Sequence, residues 1–162
     1  QLTVFDNILI ALGITEGKGK SIWRPLLTRD SIDTAESILV RYRIEDYRDR
    51  HAGFLPQGVC KLLDIAMAMV GSPRVLLLDE PTSGVSSAEK AFMMDTIMDI
   101  FHENEVGVLF VEHDMEVVAH YADRVIAFSD GRIIADGLPT EVFNDEEVRE
   151  LVIGRKPPAK LG

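Results

Sequence analysis

Apolar positions in the first 71 residues recur at helical spacing. Ile8, Leu9 and Leu12 share one face, and from Thr34 to Arg43 the apolar positions are Ala35, Ile38, Leu39 and Tyr42. Between these stretches, Glu16–Asp30 (EGKGKSIWRPLLTRD) has the composition of a loop-like insert, with Gly17, Gly19 and Pro25. From residue 72 the pattern changes to short apolar runs that alternate with helical stretches. Arg74–Glu80 (RVLLLDE) and Val106–His113 (VGVLFVEH) predict buried strands. Ser86–Glu103 between them predicts a helix with an apolar stripe of Ala88, Phe92, Met93, Ile97, Ile100 and Phe101, and Ser86 and Glu89 stand at capping-box spacing. Asp114–Asp123 predicts a short helix opened by Asp114 as N-cap. Arg124–Gly137 predicts a hairpin turning at Asp130-Gly131, and Pro139–Asp145 and Glu146–Gly154 predict short helices.

Strand, helix and strand in that order predict an α/β fold with a parallel sheet. Three regions follow: a helical one over 1–71, an α/β one over 72–153, and a basic, proline-containing tail over 154–162 that is expected to fray. No internal repeat or low-complexity block interrupts them.

A chain of 162 residues can bury a sizeable core in one domain, and 46% hydrophobic with 27% charged residues is an ordinary globular balance. The net charge of −10 argues against a phosphate-backbone binder, so nucleic acid is not expected as a partner. The one cysteine, Cys60, cannot form an internal disulfide, and its apolar helical context suits a buried thiol. No apolar run approaches the ~18–20 residues of a transmembrane helix. The opening QLTVFDNILIALG has no basic segment or cleavage site of a signal peptide, and it reads as the interior of a longer chain.

The candidate chemistry sits in Val75–Gly84 (VLLLDEPTSG). Asp79 and Glu80 follow an apolar strand, and ligands of open α/β sheets bind at the carboxyl ends of strands. A carboxylate there suits Mg²⁺, which prefers hard oxygen ligands. A second carboxylate can orient and deprotonate an attacking water. His113, at the end of the next strand, is placed to donate a hydrogen bond to a γ-phosphate. His51, His102 and His120 lack such a context and read as structural.

Such a pair calls for a phosphate-binding loop: Gly, four residues, then Gly-Lys-Ser/Thr, opening a helix after a strand. Gly19-Lys20-Ser21 has the right ending. However, position 14 is Ile14, Gly13 comes one residue too early, and Pro25 interrupts the helix that should follow. This stretch does not satisfy the pattern, and no other stretch comes nearer to it.

LLLDEPTSG, the strand-ending His113 and the helix before them resemble the ATP-binding-cassette (ABC) ATPases over essentially the whole chain. LTVFDNI, RPLLTRD, VEHDMEVV and YADRVIAFSDGRIIADGLPTEVFND are most similar to ATPase subunits of branched-chain amino acid importers, the Liv type. The resemblance implies a partial P-loop NTPase, with a RecA-like parallel sheet core and an α-helical subdomain. It makes Asp79 the Walker B aspartate that holds Mg²⁺, Glu80 the catalytic glutamate and His113 the switch histidine. Ser83–Ser86, including Gly84, would be the D-loop that touches a partner subunit. Residues 1–71 would be the helical subdomain facing a membrane permease, and 72–153 the second half of the core. The implied ligands are ATP and Mg²⁺. The implied partners are a second ABC ATPase subunit, identical or paralogous, permease subunits and, indirectly, a solute-binding protein. The implied location is the cytoplasmic face of the plasma membrane, held there through the permease. Urea and other amide importers use very similar subunits. An ABC ATPase of repair or translation fits less well with the acidic charge and the Liv-like second half.

Two departures from the family pattern stand out. The Walker A loop and Q-loop have no counterpart in these residues, so this chain alone is expected not to hold or hydrolyse ATP. The signature Leu-Ser-Gly-Gly-Gln aligns with Leu55, Pro56, Gln57, Gly58 and Val59. Leu55 and Gly58 match, Pro56 replaces the serine that meets the opposite subunit's γ-phosphate, and Val59 replaces the glutamine. Gly58 would still open a helix whose N-terminal amides favour an anion. In the D-loop, Ser86 stands where Asp is common.

Overall fold

The computed structural model describes residues 2–15 and 27–153. Gln1, Lys20 and Ser21, most of the Glu16–Asp30 insert and the 154–162 tail lie outside the described residues. The chain divides into two compact units, Gln1–Phe110 and Val111–Gly162.

The first unit contains α1 (Val4–Thr15), α2 (Arg29–Arg41), α3 (Gln57–Met69), β1 (Val75–Asp79), α4 (Ser87–Glu103) and β2 (Gly107–Val111). α1 packs on α2 and α3, and α3 packs on α4. Val4, Ile8, Leu39, Ile44 and Ile97 are fully buried there. α2 starts earlier than its apolar spacing suggests. Thr28 caps it by accepting from the Ser31 amide at 3.2 Å, and Ser31 Oγ accepts from the Thr28 amide at 2.9 Å. This is a capping box with Ser in place of the usual Glu. Tyr42 at its C-terminal end is buried, and burial pushes its phenol up to about 12.

Two expectations are corrected in α4. The capping box is not formed, because the Ser86 hydroxyl donates to Glu89 Oε2 at 2.6 Å instead of accepting a backbone amide. The apolar stripe is also rotated: Met94 and Thr96 are buried, whereas Ala88 and Phe92 are exposed. Phe92 lies under the Arg43 guanidinium, 5.5 Å from its ring centroid.

β1 and β2 pair as neighbours with α4 between them in sequence, as a parallel pair requires. The expectation that both strands are buried is corrected. One face alternates outward, with Val75 at 65%, Leu77 at 70% and Leu109 at 57% exposure. Only one side of this two-stranded sheet is covered among the described residues, so the apolar side chains of the other meet water. Burying each would gain ~1.5–3 kcal/mol if fully exposed, so covering all three at these exposures gains roughly 3–6 kcal/mol. Two copies that cover each other's faces gain twice that, roughly 6–12 kcal/mol, against an association cost of at least about 4 kcal/mol, so a weak, concentration-dependent self-association is expected. Sedimentation of the chain is expected to show a mean mass that rises with concentration, and Leu77→Thr with Leu109→Thr is expected to abolish the rise. A monodisperse monomer with a sharp cooperative melt would sink this expectation.

The second unit holds α5 (Met115–Tyr121), β3 (Val125–Ser129), β4 (Arg132–Gly137), α6 (Pro139–Val142) and α7 (Glu146–Val148), followed by a π-type turn over Arg149–Ile153. Asp114 Oδ1 caps α5 by accepting from Glu116 and Val117 amides at 3.2 and 3.4 Å. β3 and β4 are antiparallel, with Ser129 opposite Arg132 and a bulge at Ala127/Phe128. Both turn residues are left-handed, Asp130 at φ 48 and Gly131 at φ 78, as a type I′ turn requires. Ala127, Val142 and Val148 form this unit's small core. No helix among the described residues is long and apolar enough to cross a membrane.

Candidate functional site

Asp79 is the last residue of β1, and Glu80 is the first of the turn that leaves it. Both carboxylates are at the surface. Glu80 adopts φ 44, a left-handed conformation that a residue with a β-carbon enters at a cost of ~1–2 kcal/mol. The chain needs that bend because Pro81 and Thr82 turn straight back into the interior, where Thr82 is only 2% exposed. Two tight turns then follow. Ser83 N–H donates to the Glu80 carbonyl at 3.1 Å, and Val85 N–H donates to the Thr82 carbonyl at 3.1 Å. Gly84 sits at φ 76, which favours glycine. Ser83 and Ser86 are exposed on the rim of this loop, and buried Val85 anchors it.

The loop lies along the N-terminal half of α3. A β-carbon at Gly84 would stand 3.3 Å from Gln57 Cγ, and one at Gly58 would stand 3.5 Å from Val85 Cγ1. The tight approach and the positive φ together favour glycine at Gly84, whereas at Gly58 a β-carbon would make only an ordinary contact. Leu55 and Pro56 lead into α3. Pro56 is its N-cap at φ −55 and ψ 148, and it makes no side-chain cap bond because it has no hydroxyl. Gly58 lies in the first turn, as expected, but it is buried against the loop. Val59 is half-buried. Cys60 is also half-buried rather than buried, and burial followed by the nearby Asp64 charge pushes its thiol up, away from the reactive thiolate.

His113 belongs to the second unit. It does not end the strand as expected, since β2 stops at Val111 and Glu112 intervenes. Glu112 Oε2 accepts from the His113 amide at 3.2 Å and from the Asp114 amide at 3.4 Å. Those bonds turn the chain out of the strand and into the Asp114 cap, which leaves the imidazole exposed.

Sequence reasoning missed Lys61. Its ammonium donates to the Glu80 carbonyl at 3.2 Å. The available signal was that Gln57 and Lys61 are four residues apart on one face of α3.

Among the described residues no three His, Cys, Asp or Glu side chains cluster as a self-sufficient metal site. A phosphate-bound Mg²⁺ does not need one, because it takes one or two carboxylates and completes its shell with phosphate oxygens and water. The exposed Asp79 carboxylate at the end of β1 fits that demand.

A family model described as "ABC transporter" matches residues 1–83. The high-affinity branched-chain amino acid transport ATP-binding protein LivG of Salmonella typhimurium is 29% identical over 160 residues, covering 95% of this chain and 63% of that protein. The corresponding BraF protein of Pseudomonas aeruginosa is 31% identical over the same shares of both chains. The chain thus spans 63% of the length of these relatives. A solved structure of MJ1267, an ATP-binding cassette of an ABC transporter, superposes with a TM-score of 0.78 at 26% identity, over 95% of this chain and 64% of that one. With an α/β fold of the P-loop NTPase class and a family match over half its residues, this chain belongs to the ABC transporter family.

Proposed function

We propose that these residues are the part of an importer's ATP-hydrolysing subunit that supplies the water-activating side of the nucleotide site, and that the imported solute is a branched-chain amino acid. The observation that carries the reading is the pair Asp79 and Glu80, held at the end of β1 by a left-handed bend and a loop packed on α3. The names of LivG and BraF support the solute class. Asp79 would hold Mg²⁺, directly or through water. When bound, the ion offsets charge on the phosphate oxygens. Glu80 orients the attacking water and accepts its proton. His113 donates a hydrogen bond towards the γ-phosphate. Ser83, Gly84 and Ser86 present the loop to a second ATPase subunit, and the helical region of residues 1–71 docks on a permease at the cytoplasmic face of the membrane.

Pro56 and Val59 favour a second reading, a dimerisation and permease-docking module whose half-site does not hydrolyse. Pro56 caps α3 without a hydroxyl to offer a γ-phosphate across the dimer.

Without the backbone amides and lysine of a phosphate loop, Asp79, Glu80 and His113 offer a triphosphate little to hold it. Titration of this chain with a fluorescent ATP analogue and Mg²⁺ is therefore expected to show no saturable binding up to millimolar concentration. Saturable binding lost in Lys20→Ala would mean that Gly13–Ser21 is a working phosphate loop, and the proposed division of the site would fail.

A further inference from the structure

We propose that Lys61 is a positioning residue for Glu80, tying the bend at the end of β1 to α3. Three residues within one turn of α3 meet the loop. Gln57 packs at Gly84, Gly58 packs at Val85, and Lys61 reaches the Glu80 carbonyl. The start of α3 meets Gly84 and Val85, and one turn further on Lys61 meets Glu80 at the other end of the loop, so the contacts form one seam. The first two are made by packing, which fixes where the loop lies but not how Glu80 is turned. Lys61 supplies the directional contact.

The Glu80 carbonyl accepts from Ser83 N–H at 3.1 Å and from Lys61 Nζ at 3.2 Å. A carbonyl has two lone pairs, and these two donors occupy both. In the left-handed conformation of Glu80 the direction of this carbonyl and the direction of the side chain are coupled through a single φ/ψ pair. Holding the carbonyl therefore holds the direction in which the Glu80 side chain leaves the backbone. An ordinary surface ion pair would set no such direction. A charge-assisted bond to a main-chain oxygen in a strained turn does, because relaxing the turn breaks the bond. The same seam would pass any shift of the N-terminal end of α3 to the backbone that carries the Glu80 side chain.

The functional consequence rests on the proposed role of Glu80, but the clamp itself does not, and the test separates them. Lys61→Met keeps the apolar stem and removes the charge, while Lys61→Arg keeps a cationic donor. In the isotopically labelled chain, Lys61→Met is expected to shift the Glu80 carbonyl ¹³C resonance and to speed exchange of the Ser83 amide about tenfold, the equivalent of one hydrogen bond's net worth. Lys61→Arg is expected to restore both, and the midpoint of thermal unfolding is expected to fall by a few degrees at most in Lys61→Met and to recover in Lys61→Arg. An unmoved Glu80 carbonyl in Lys61→Met overturns the clamp, and so does failure of Lys61→Arg to restore it. If the clamp readouts respond as expected while a hydrolysing assembly proves indifferent to Glu80, the clamp stands and the ATPase role of Glu80 falls.

Discussion

Glu80→Gln is expected to lower Mg²⁺-dependent ATP hydrolysis by about 10²–10⁴-fold, the range for removing a positioned general base. The assay needs a complete site, which can be made by fusing this chain to the part of LivG that it does not span. Gln keeps the size and hydrogen-bonding geometry of Glu80 and removes only its ability to take a proton, so binding of the ATP analogue is expected to survive in the variant. A loss of binding equal to the loss of turnover would assign Glu80 to holding the nucleotide instead. The same chimera decides between the two proposed readings. If the residues at Pro56 and Val59 leave the half-site unable to hydrolyse, the unsubstituted chimera binds ATP without turning it over, and restoring the hydroxyl by Pro56→Ser is the variant that should recover activity. Turnover in the chimera with Pro56 in place would show that the α3 cap tolerates the missing hydroxyl. Its anion-favouring amides at Gln57 and Gly58 would then be enough.

The order of chemistry was legible in the sequence because it depends on local signals. The run Val75–Leu78 ending in two carboxylates defines β1 and places Asp79 at its carboxyl end. Asp130-Gly131 defines the hairpin because few dipeptides accept two left-handed residues in succession. Asp114 defines the start of α5 through its own side-chain acceptor. What failed to show was whatever depends on a neighbour distant in sequence, or on a local bond or bend that the hydrophobic pattern does not mark. Val75 and Leu77 have the composition of a buried strand, but their burial is set by what covers the sheet, which the strand itself does not encode. The stretch from Val106 to His113 continues apolar to Val111, and its end is fixed by Glu112 bonding to two following amides rather than by any break in pattern. The bend at Glu80 has no glycine to announce it. Lys61, on an otherwise mostly apolar helix, reads as a solvated cation until the loop it reaches is in view.

Ile97→Ala is expected to destabilise the first unit by about 3–4 kcal/mol, while Phe92→Ala, in the same helix, is expected to cost no more than about 1 kcal/mol. Both residues belong to the apolar stripe that helical spacing assigns to α4, and Phe is the larger of the two. A reading by hydrophobic size alone would therefore predict the opposite order. The structure sets the order by burial. Ile97 is 0% exposed, whereas Phe92 is 48% exposed and holds little beyond the Arg43 guanidinium at 5.5 Å. Truncating Ile97 leaves a cavity among packed helices that can relax only in part, so the lost transfer energy is joined by a cavity cost. Truncating Phe92 leaves no cavity and loses one exposed cation–π contact. Urea unfolding followed by helical circular dichroism, at concentrations below the onset of self-association, measures both variants. Equal losses would mean that α4 packs with its stripe turned back towards Phe92. The rotation that buries Met94 and Thr96 would then be wrong, and the seam between α3 and the loop that opens α4 would have to be redrawn with it.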